Sequence, residues 1–171
     1  MLASPELTNR ALGIMIYPSR DSNYLDALRN RFNSGEKLKY TFFWGHQSNR
    51  PAVNACCFSQ WYGAPFTIDG QVYPTAEHFM MAEKAALFGD QETRRRVLDA
   101  PNPGAAKAFG RQVRGFDDGV WEENRFDIVM RANVAKFSQN AELGQFLKQT
   151  GSRVLVEASP VDRIWGIGLA T

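Results

Sequence analysis

A carboxylate and an amine seven positions apart, Glu77 and Lys84, have the types and spacing best suited to chemistry in this sequence. Both lie in Thr75-Ala-Glu-His-Phe-Met-Met-Ala-Glu-Lys-Ala-Ala-Leu-Phe88, which reads as one helix with Thr75 as N-cap and Gly89 as terminator. At 100° per residue, Glu77, Met81, Lys84 and Phe88 share one stripe, with Met80 at its border. The other faces carry Phe79, Ala82, Ala85, Ala86 and Leu87, so the helix is apolar nearly all round and is expected at the centre of the fold. Ionisable groups in such surroundings are costly unless paired, and their pKa values shift. Their separation of ~10.5 Å along the axis suits flanking a small ligand better than pairing with each other. A buried ion pair, or two groups reaching out to solvent, stays open on the pattern alone. Asp162 in the closing segment is a second candidate acid, with a turn-forming role as its plainer reading.

Other elements must hold these groups in place. Tyr24, Leu25, Leu28 and Phe32 fall at helical spacing, and Asn33-Ser-Gly35 would end that helix. Lys39–Trp44 reads as a strand, followed by the polar loop Gly45–Pro51. That loop is either a plain surface connection or a pocket rim capped by Trp44 and His46. Phe66–Tyr73 reads as a hairpin turning at Asp69-Gly70. Asp90–Ala100 is a polar helix, and its run Arg94, Arg95, Arg96 reads foremost as a solvated face. Asn102 caps a short helix with Pro103 in its first turn and Gly110 at its end. Arg111 and Arg114 follow in a loop. The longest helix spans about Asp118–Ser138, with one stripe of Phe126, Val129, Met130, Asn133 and Phe137 and a second of Trp121, Ile128, Ala132 and Ala135. Asn140 is placed to cap a further helix bearing Leu143, Phe146 and Leu147, ended by Gly151. Arg153–Glu157 is a short strand, and Ser159–Gly168 a structured loop. The expected architecture is mainly α: one multihelical domain over 1–171 with a few short β-strands, residues 1–40 forming a less typical N-terminal extension.

The chain of 171 residues is long enough for one real core, and its net charge of +2 argues against a tight, electrostatically driven duplex binder. Twelve Phe, four Trp and five Tyr suit a core and also pockets that stack a planar base. Two adjacent cysteines, Cys56 and Cys57, and two histidines offer no metal spacing and no disulfide framework. No cofactor, metal site or membrane span is expected, and an intracellular protein, cytoplasmic or nuclear, is. Ser59 has no nucleophile-elbow context, and there is no glycine-rich nucleotide loop. The residues alone describe a small helical enzyme with carboxylate and amine chemistry in an aromatic pocket.

Several ordered blocks add to this. Phe42-Phe-Trp-Gly-His46, Cys57-Phe-Ser-Gln-Trp61, Tyr73-Pro-Thr-Ala-Glu-His-Phe79 with Glu83-Lys84, Gly110-Arg111, Ala135-Lys-Phe-Ser-Gln139 and Leu155–Gly168 resemble the NADAR family, the YbiA-like N-glycosidases. The resemblance runs from about Phe42 to Gly168 and implies a YbiA-like, mainly α fold that hydrolyses an N-glycosidic bond to ribose. It implies one of two substrate classes. The first is guanine ADP-ribosylated on its exocyclic amine, in single-stranded nucleic acid or as nucleoside; the second is the ribosylamino-pyrimidine intermediates of riboflavin synthesis. A non-catalytic ADP-ribose reader is the alternative of another class.

Carried over by position, the family's conserved acid falls on Glu77, its reactive lysine on Lys84, its helix tryptophan on Trp121, and its closing Asp and Trp on Asp162 and Trp165. Trp44, Gly45, His46 and Ser59 are then expected on the ribose or phosphate side. Met81 and Gly166 complete the expected substrate lining, and Arg111, Arg114 or His46 would take the phosphates. Trp121 or Trp165 would stack on the base. The family's usual Phe-Ser-Asn reads Phe-Ser-Gln here, at Gln60. Members usually continue past the position of Thr171, where this sequence stops, into a loop and a last helix with a Leu-Gly motif.

Overall fold

The computed structural model describes residues 23–47 and 52–159; the expectations for Asp162, Trp165 and Gly166 lie outside them. Six α-helices and four short strands are formed among these residues. They are α1 (Asn23–Asn33), β1 (Tyr40–Phe43), β2 (Phe66–Ile68), β3 (Gln71–Tyr73), α2 (Ala76–Leu87), α3 (Gln91–Leu98), α4 (Pro103–Gly110), α5 (Asp118–Gln139), α6 (Ala141–Gln149) and β4 (Val154–Glu157). One 3-10 turn, Ala55–Phe58, precedes β2. The fold is mainly α, as the pattern requires.

Helix α2 is the hub and packs against α3, α4 and α5. Its sequence explains why. Phe79, Ala82 and Ala85 are fully buried, and Met80 and Met81 nearly so, on every side of the cylinder. Thr75 caps it by accepting from the His78 N–H, and Gly89 leaves it with φ of +70°. The hairpin β2–β3 feeds into this cap. Asp69 and Gly70 both take positive φ, 51° and 78°, which a tight two-residue hairpin turn demands. The strands are only three residues each. They persist because Phe66, Tyr73 and Phe79 pack ring against ring, with Tyr73 and Phe79 edge-on at 5.0 Å.

His78 is a tie inside this core. Its Nε2 lies 3.1 Å from the Ala100 carbonyl, which can only accept, so Nε2 carries the hydrogen. Nδ1 then accepts from the Thr75 hydroxyl at 2.8 Å. Burial holds the ring below its ordinary pKa, so it stays neutral.

Strand β1 pairs in parallel with β4, Tyr40 opposite Val154 and Phe43 opposite Glu157. Helices α2 to α6 and the hairpin therefore lie in one long crossover between two short strands, and α1 precedes it. A second, smaller core gathers Cys57, Phe58, Ala64, Phe137 and Leu143 beneath the 3-10 turn.

The C-terminal half of α5 grips the segment leading into the hairpin. Lys136 Nζ donates to the Ser59 carbonyl at 2.8 Å, and Gln139 exchanges two hydrogen bonds with the Thr67 backbone. Asn140 donates to the carbonyls of Pro65 and Lys136. This corrects one expectation: Asn140 sits at the N-cap position of α6, but its side chain makes no capping bond because the amide is turned back to those carbonyls.

Helix α6 crosses closely over the end of α5 at Gly144, where an added Cβ would stand 2.5 Å from the Phe137 carbonyl oxygen. In an open helix, alanine for glycine gains about 1 kcal/mol. Here backbone must move, and overpacking of this kind costs about 1–3 kcal/mol. Gly144→Ala is therefore expected to lower the urea or thermal midpoint, and a midpoint that rises instead would contradict this packing.

Candidate active site

Glu77 occupies the second position of α2, one residue after Ala76, and only 2% of it is exposed. Its backbone N–H donates to the Gln60 carbonyl at 3.0 Å, joining the helix start to the turn after the 3-10 helix. A helix N-terminus favours a carboxylate electrostatically. One turn further along the same stripe, Met81 is buried against Gly110 at the end of α4, where any side chain would collide with the thioether. Gly110 is thus the close approach from which Arg111 and the following loop run on to Phe116, over Lys84.

Lys84 comes next on the stripe and is half-buried. Its Nζ lies 3.9 Å from the centroid of the Phe116 ring and 5.6 Å from that of Trp121. Loss of water pushes the amine below the ordinary lysine pKa; Asp118 opposes that shift and Arg111 adds to it. The neighbouring Glu83 is turned away, accepting from Arg131 of α5 at 2.9 Å. The structure therefore brings Glu77, Met81, Lys84, Arg111 and Trp121 to one side of α2, and adds Phe116 and Asp118, which the sequence did not single out. Arg114 points elsewhere, to Asp90 and Glu92.

Ser59 closes the 3-10 turn, and His46, in the loop after β1, packs against Trp61. The Ser59 hydroxyl accepts from the Trp61 N–H at 3.2 Å. The rings of His46 and Trp61 stand 5.4 Å apart, and Lys107 Nζ lies 5.8 Å from the Trp61 ring. Gly45 takes φ of +75°, a turn that favours glycine, while Trp44 is 68% exposed among the described residues. Gln60 has a concrete partner: its side-chain amide faces that of Asn133, with nitrogen-to-oxygen distances of 3.3 and 3.4 Å. This also accounts for Asn133, the polar member of an otherwise apolar stripe on α5.

Lys136 is the buried cation that the periodicity reading passed over. It has no exposed surface, and its ammonium sits near the Tyr62 and Phe137 rings with the Ser59 carbonyl as its hydrogen-bond partner. The signal was present, since Lys136 continues the Ile128, Ala132 line at four-residue spacing. Burial lowers its pKa to about 8, and the same burial raises that of neighbouring Cys57 to about 11. The unfolded lysine keeps its proton to higher pH, so the unfolded chain binds more protons above about pH 8 and stability rises with pH. Cys57 pulls the other way as pH approaches and passes its ordinary value of 9.0, so the net rise lies in the window of about pH 8 to 9 and is partly offset near its top. A gain of about 1 kcal/mol is expected across it. Urea denaturation at the two pH values checks this, and Lys136→Met should reduce the rise, with Lys84, shifted in the same direction, still contributing.

Among the described residues there is no group of three or more metal-binding side chains, and no helix is long and apolar enough to cross a membrane.

Comparison with known proteins fits this arrangement. A family profile described as the NADAR domain matches residues 42–171. N-glycosidase R617 of Acanthamoeba polyphaga mimivirus is 43% identical over 139 residues, covering 78% of this chain and 81% of that protein. N-glycosidase YbiA of Escherichia coli is 33% identical over 111 residues, covering 65% and 68%. The NMR structure of E. coli YbiA superposes with a TM-score of 0.65 at 29% identity, over 76% of this chain and 73% of that one. The riboflavin biosynthesis protein PYRR of Zea mays is 37% identical over 103 residues, which are 56% of this chain and 16% of that protein. With the profile spanning the hairpin, the hub helix and everything after them, and with the fold shared by a solved relative, the chain belongs to the NADAR domain family.

Proposed function

We propose that this chain hydrolyses the N-glycosidic bond between ribose and an amino nitrogen on a heterocycle, through the amine of Lys84. The observation that carries the reading is Lys84 itself: an amine on the stripe of a buried acid, covered by two aromatic rings, and held below its ordinary pKa by loss of water. A depressed pKa makes a lysine a nucleophile near neutrality. The names N-glycosidase R617 and N-glycosidase YbiA support the bond class.

In this mechanism Glu77 acts as the acid that assists opening of the ribose ring or departure of the base. The neutral amine of Lys84 attacks ribose C1, so a C–N bond to the lysine forms. The bond from C1 to the base nitrogen then breaks, and the proton goes to that nitrogen. Water hydrolyses the resulting imine, releasing the sugar and returning the free amine. Asp162 would orient the ribose hydroxyls or activate that water. Trp121, or Trp165, stacks on the base, and Arg111 or His46 holds phosphate.

The favoured substrate is guanine ADP-ribosylated on its exocyclic amine, because Arg111 directly follows the Gly110 contact with Met81, its charge acts on Lys84, and it could hold a pyrophosphate. The naming of the maize relative favours a second substrate, a ribosylamino-pyrimidine of riboflavin synthesis. Purified protein offered both substrates side by side decides between them, with free ADP-ribose or free ribose phosphate as the product measured. Borohydride added during turnover is expected to leave a sugar adduct on Lys84 by mass spectrometry. Full turnover with no adduct would replace the lysine route by a carboxylate pair of Glu77 and Asp162. Binding of ADP-ribosylated guanosine without release of ADP-ribose would make the protein a reader.

A further inference from the structure

Asp90 is a buried carboxylate that the proposed chemistry does not use. It caps α3 by accepting from Thr93 N–H at 3.1 Å and from the Thr93 hydroxyl at 2.8 Å. The same two oxygens accept three further bonds from Arg114: backbone N–H at 3.0 Å, Nε at 3.2 Å and a terminal guanidinium nitrogen at 2.7 Å. Five bonds on one carboxylate far exceed what a helix cap requires. The Arg114 guanidinium, followed by its N–H and that of Thr93, holds the Asp90 carboxyl well below the usual carboxylate range, so the pair stays charged at any working pH. Two residues beyond Arg114, Phe116 stacks edge-on against Phe88 at 5.3 Å and lays its ring over Lys84 Nζ. Between them Gly115 turns the chain at φ of +70°, beside the Phe88 carbonyl.

We propose that Asp90 and Arg114 form a positioning clamp for the site: their ion pair fixes the loop between α4 and α5 so that Phe116 covers the Lys84 amine. Arg111 at the start of the same loop and Asp118 at the first position of α5, just beyond its end, are the two charged groups that act on Lys84 from outside its helix. Neither clamp residue touches substrate. This inference deepens the lysine reading above and rests on it for its consequence in turnover, but the clamp's effect on Lys84 can be read without any substrate.

The test is competitive acetylation with acetic anhydride across pH, following the Lys84 peptide by mass spectrometry in the folded protein. In Arg114→Ala the midpoint for Lys84 labelling is expected to rise by about one pH unit as the cover loosens and water returns. Turnover near neutrality should fall about tenfold with it, since the neutral fraction of the amine falls by that factor. Arg114→Lys, which keeps a charge but not the fork, should recover part of the shift. Asp90→Asn retains a capping oxygen for Thr93 and should behave like Arg114→Ala, which separates the clamp from the helix cap. Circular dichroism confirms that each variant is folded. A folded Arg114→Ala protein with wild-type Lys84 labelling overturns the clamp, even if the enzyme is active. A midpoint that rises in a protein with no glycosidase activity keeps the clamp and removes the lysine mechanism.

Discussion

Lys84→Met should lose at least about a thousandfold in turnover on the true substrate while the protein stays folded. Methionine has nearly the same length and fits beneath Phe116 and Trp121, so the cover over the site is retained. What disappears is the attacking nitrogen. The melting temperature should hold or rise, because burial disfavours the charged lysine that is removed. Lys84→Arg is the companion variant. It keeps a cation under the rings, but a guanidinium does not lose its proton at working pH and cannot attack. Both variants should therefore be equally inactive and should leave no borohydride adduct. In the wild type the rate should climb as pH rises through the lowered Lys84 pKa, because only the neutral amine reacts. A Lys84→Met protein with undiminished kcat would remove the covalent mechanism outright.

The second large effect is expected at Glu77. Glu77→Gln preserves size and keeps the main-chain bond to Gln60, which uses the backbone N–H. It removes only the capacity to give and take a proton, so kcat should fall by about 10²–10⁴ with KM little changed. The two assigned roles separate through the leaving group. If Glu77 assists departure of the base, a substrate whose base leaves without protonation should regain most of the lost rate. If Glu77 instead opens the ribose ring, the loss should be the same for good and poor leaving groups. Equal activity of Glu77→Gln and wild type on every substrate would take the acid out of the mechanism.

The sequence makes the hub helix legible because everything that fixes it is local. Thr75 caps, Gly89 ends, and the stripe of Glu77, Met81 and Lys84 follows from a 100° step. Asn102 with Pro103, and Asp69 with Gly70, are equally local signals, and each forms the expected cap or turn. The parallel pairing of Tyr40 with Val154 leaves no such trace, since its two halves lie far apart along the chain. Phe116 was invisible for a related reason. It stands in a stretch of glycine and charge with no period, and its value comes from where Asp90 and Gly110 bring the loop. Lys136 was legible on a helical wheel, but a lysine is expected at the surface, and only the folded chain shows the Ser59 carbonyl waiting for it. Gln60 is explained the same way, because its partner Asn133 lies far along the chain on α5.

The row of long polar side chains on α5 has an evolutionary corollary. Lys136, Gln139 and Asn140 hydrogen-bond to carbonyls and an amide of the strip from Ser59 to Thr67, and of its side chains only the Tyr62 ring stands near one of them, Lys136. A scaffold that bonds chiefly to main chain is nearly blind to what hangs from it, Gln60 and Tyr62 excepted. A residue such as Trp61, whose ring meets His46 and Lys107, can therefore be exchanged without moving the track it rides on, so what the turn presents can change while its frame stays.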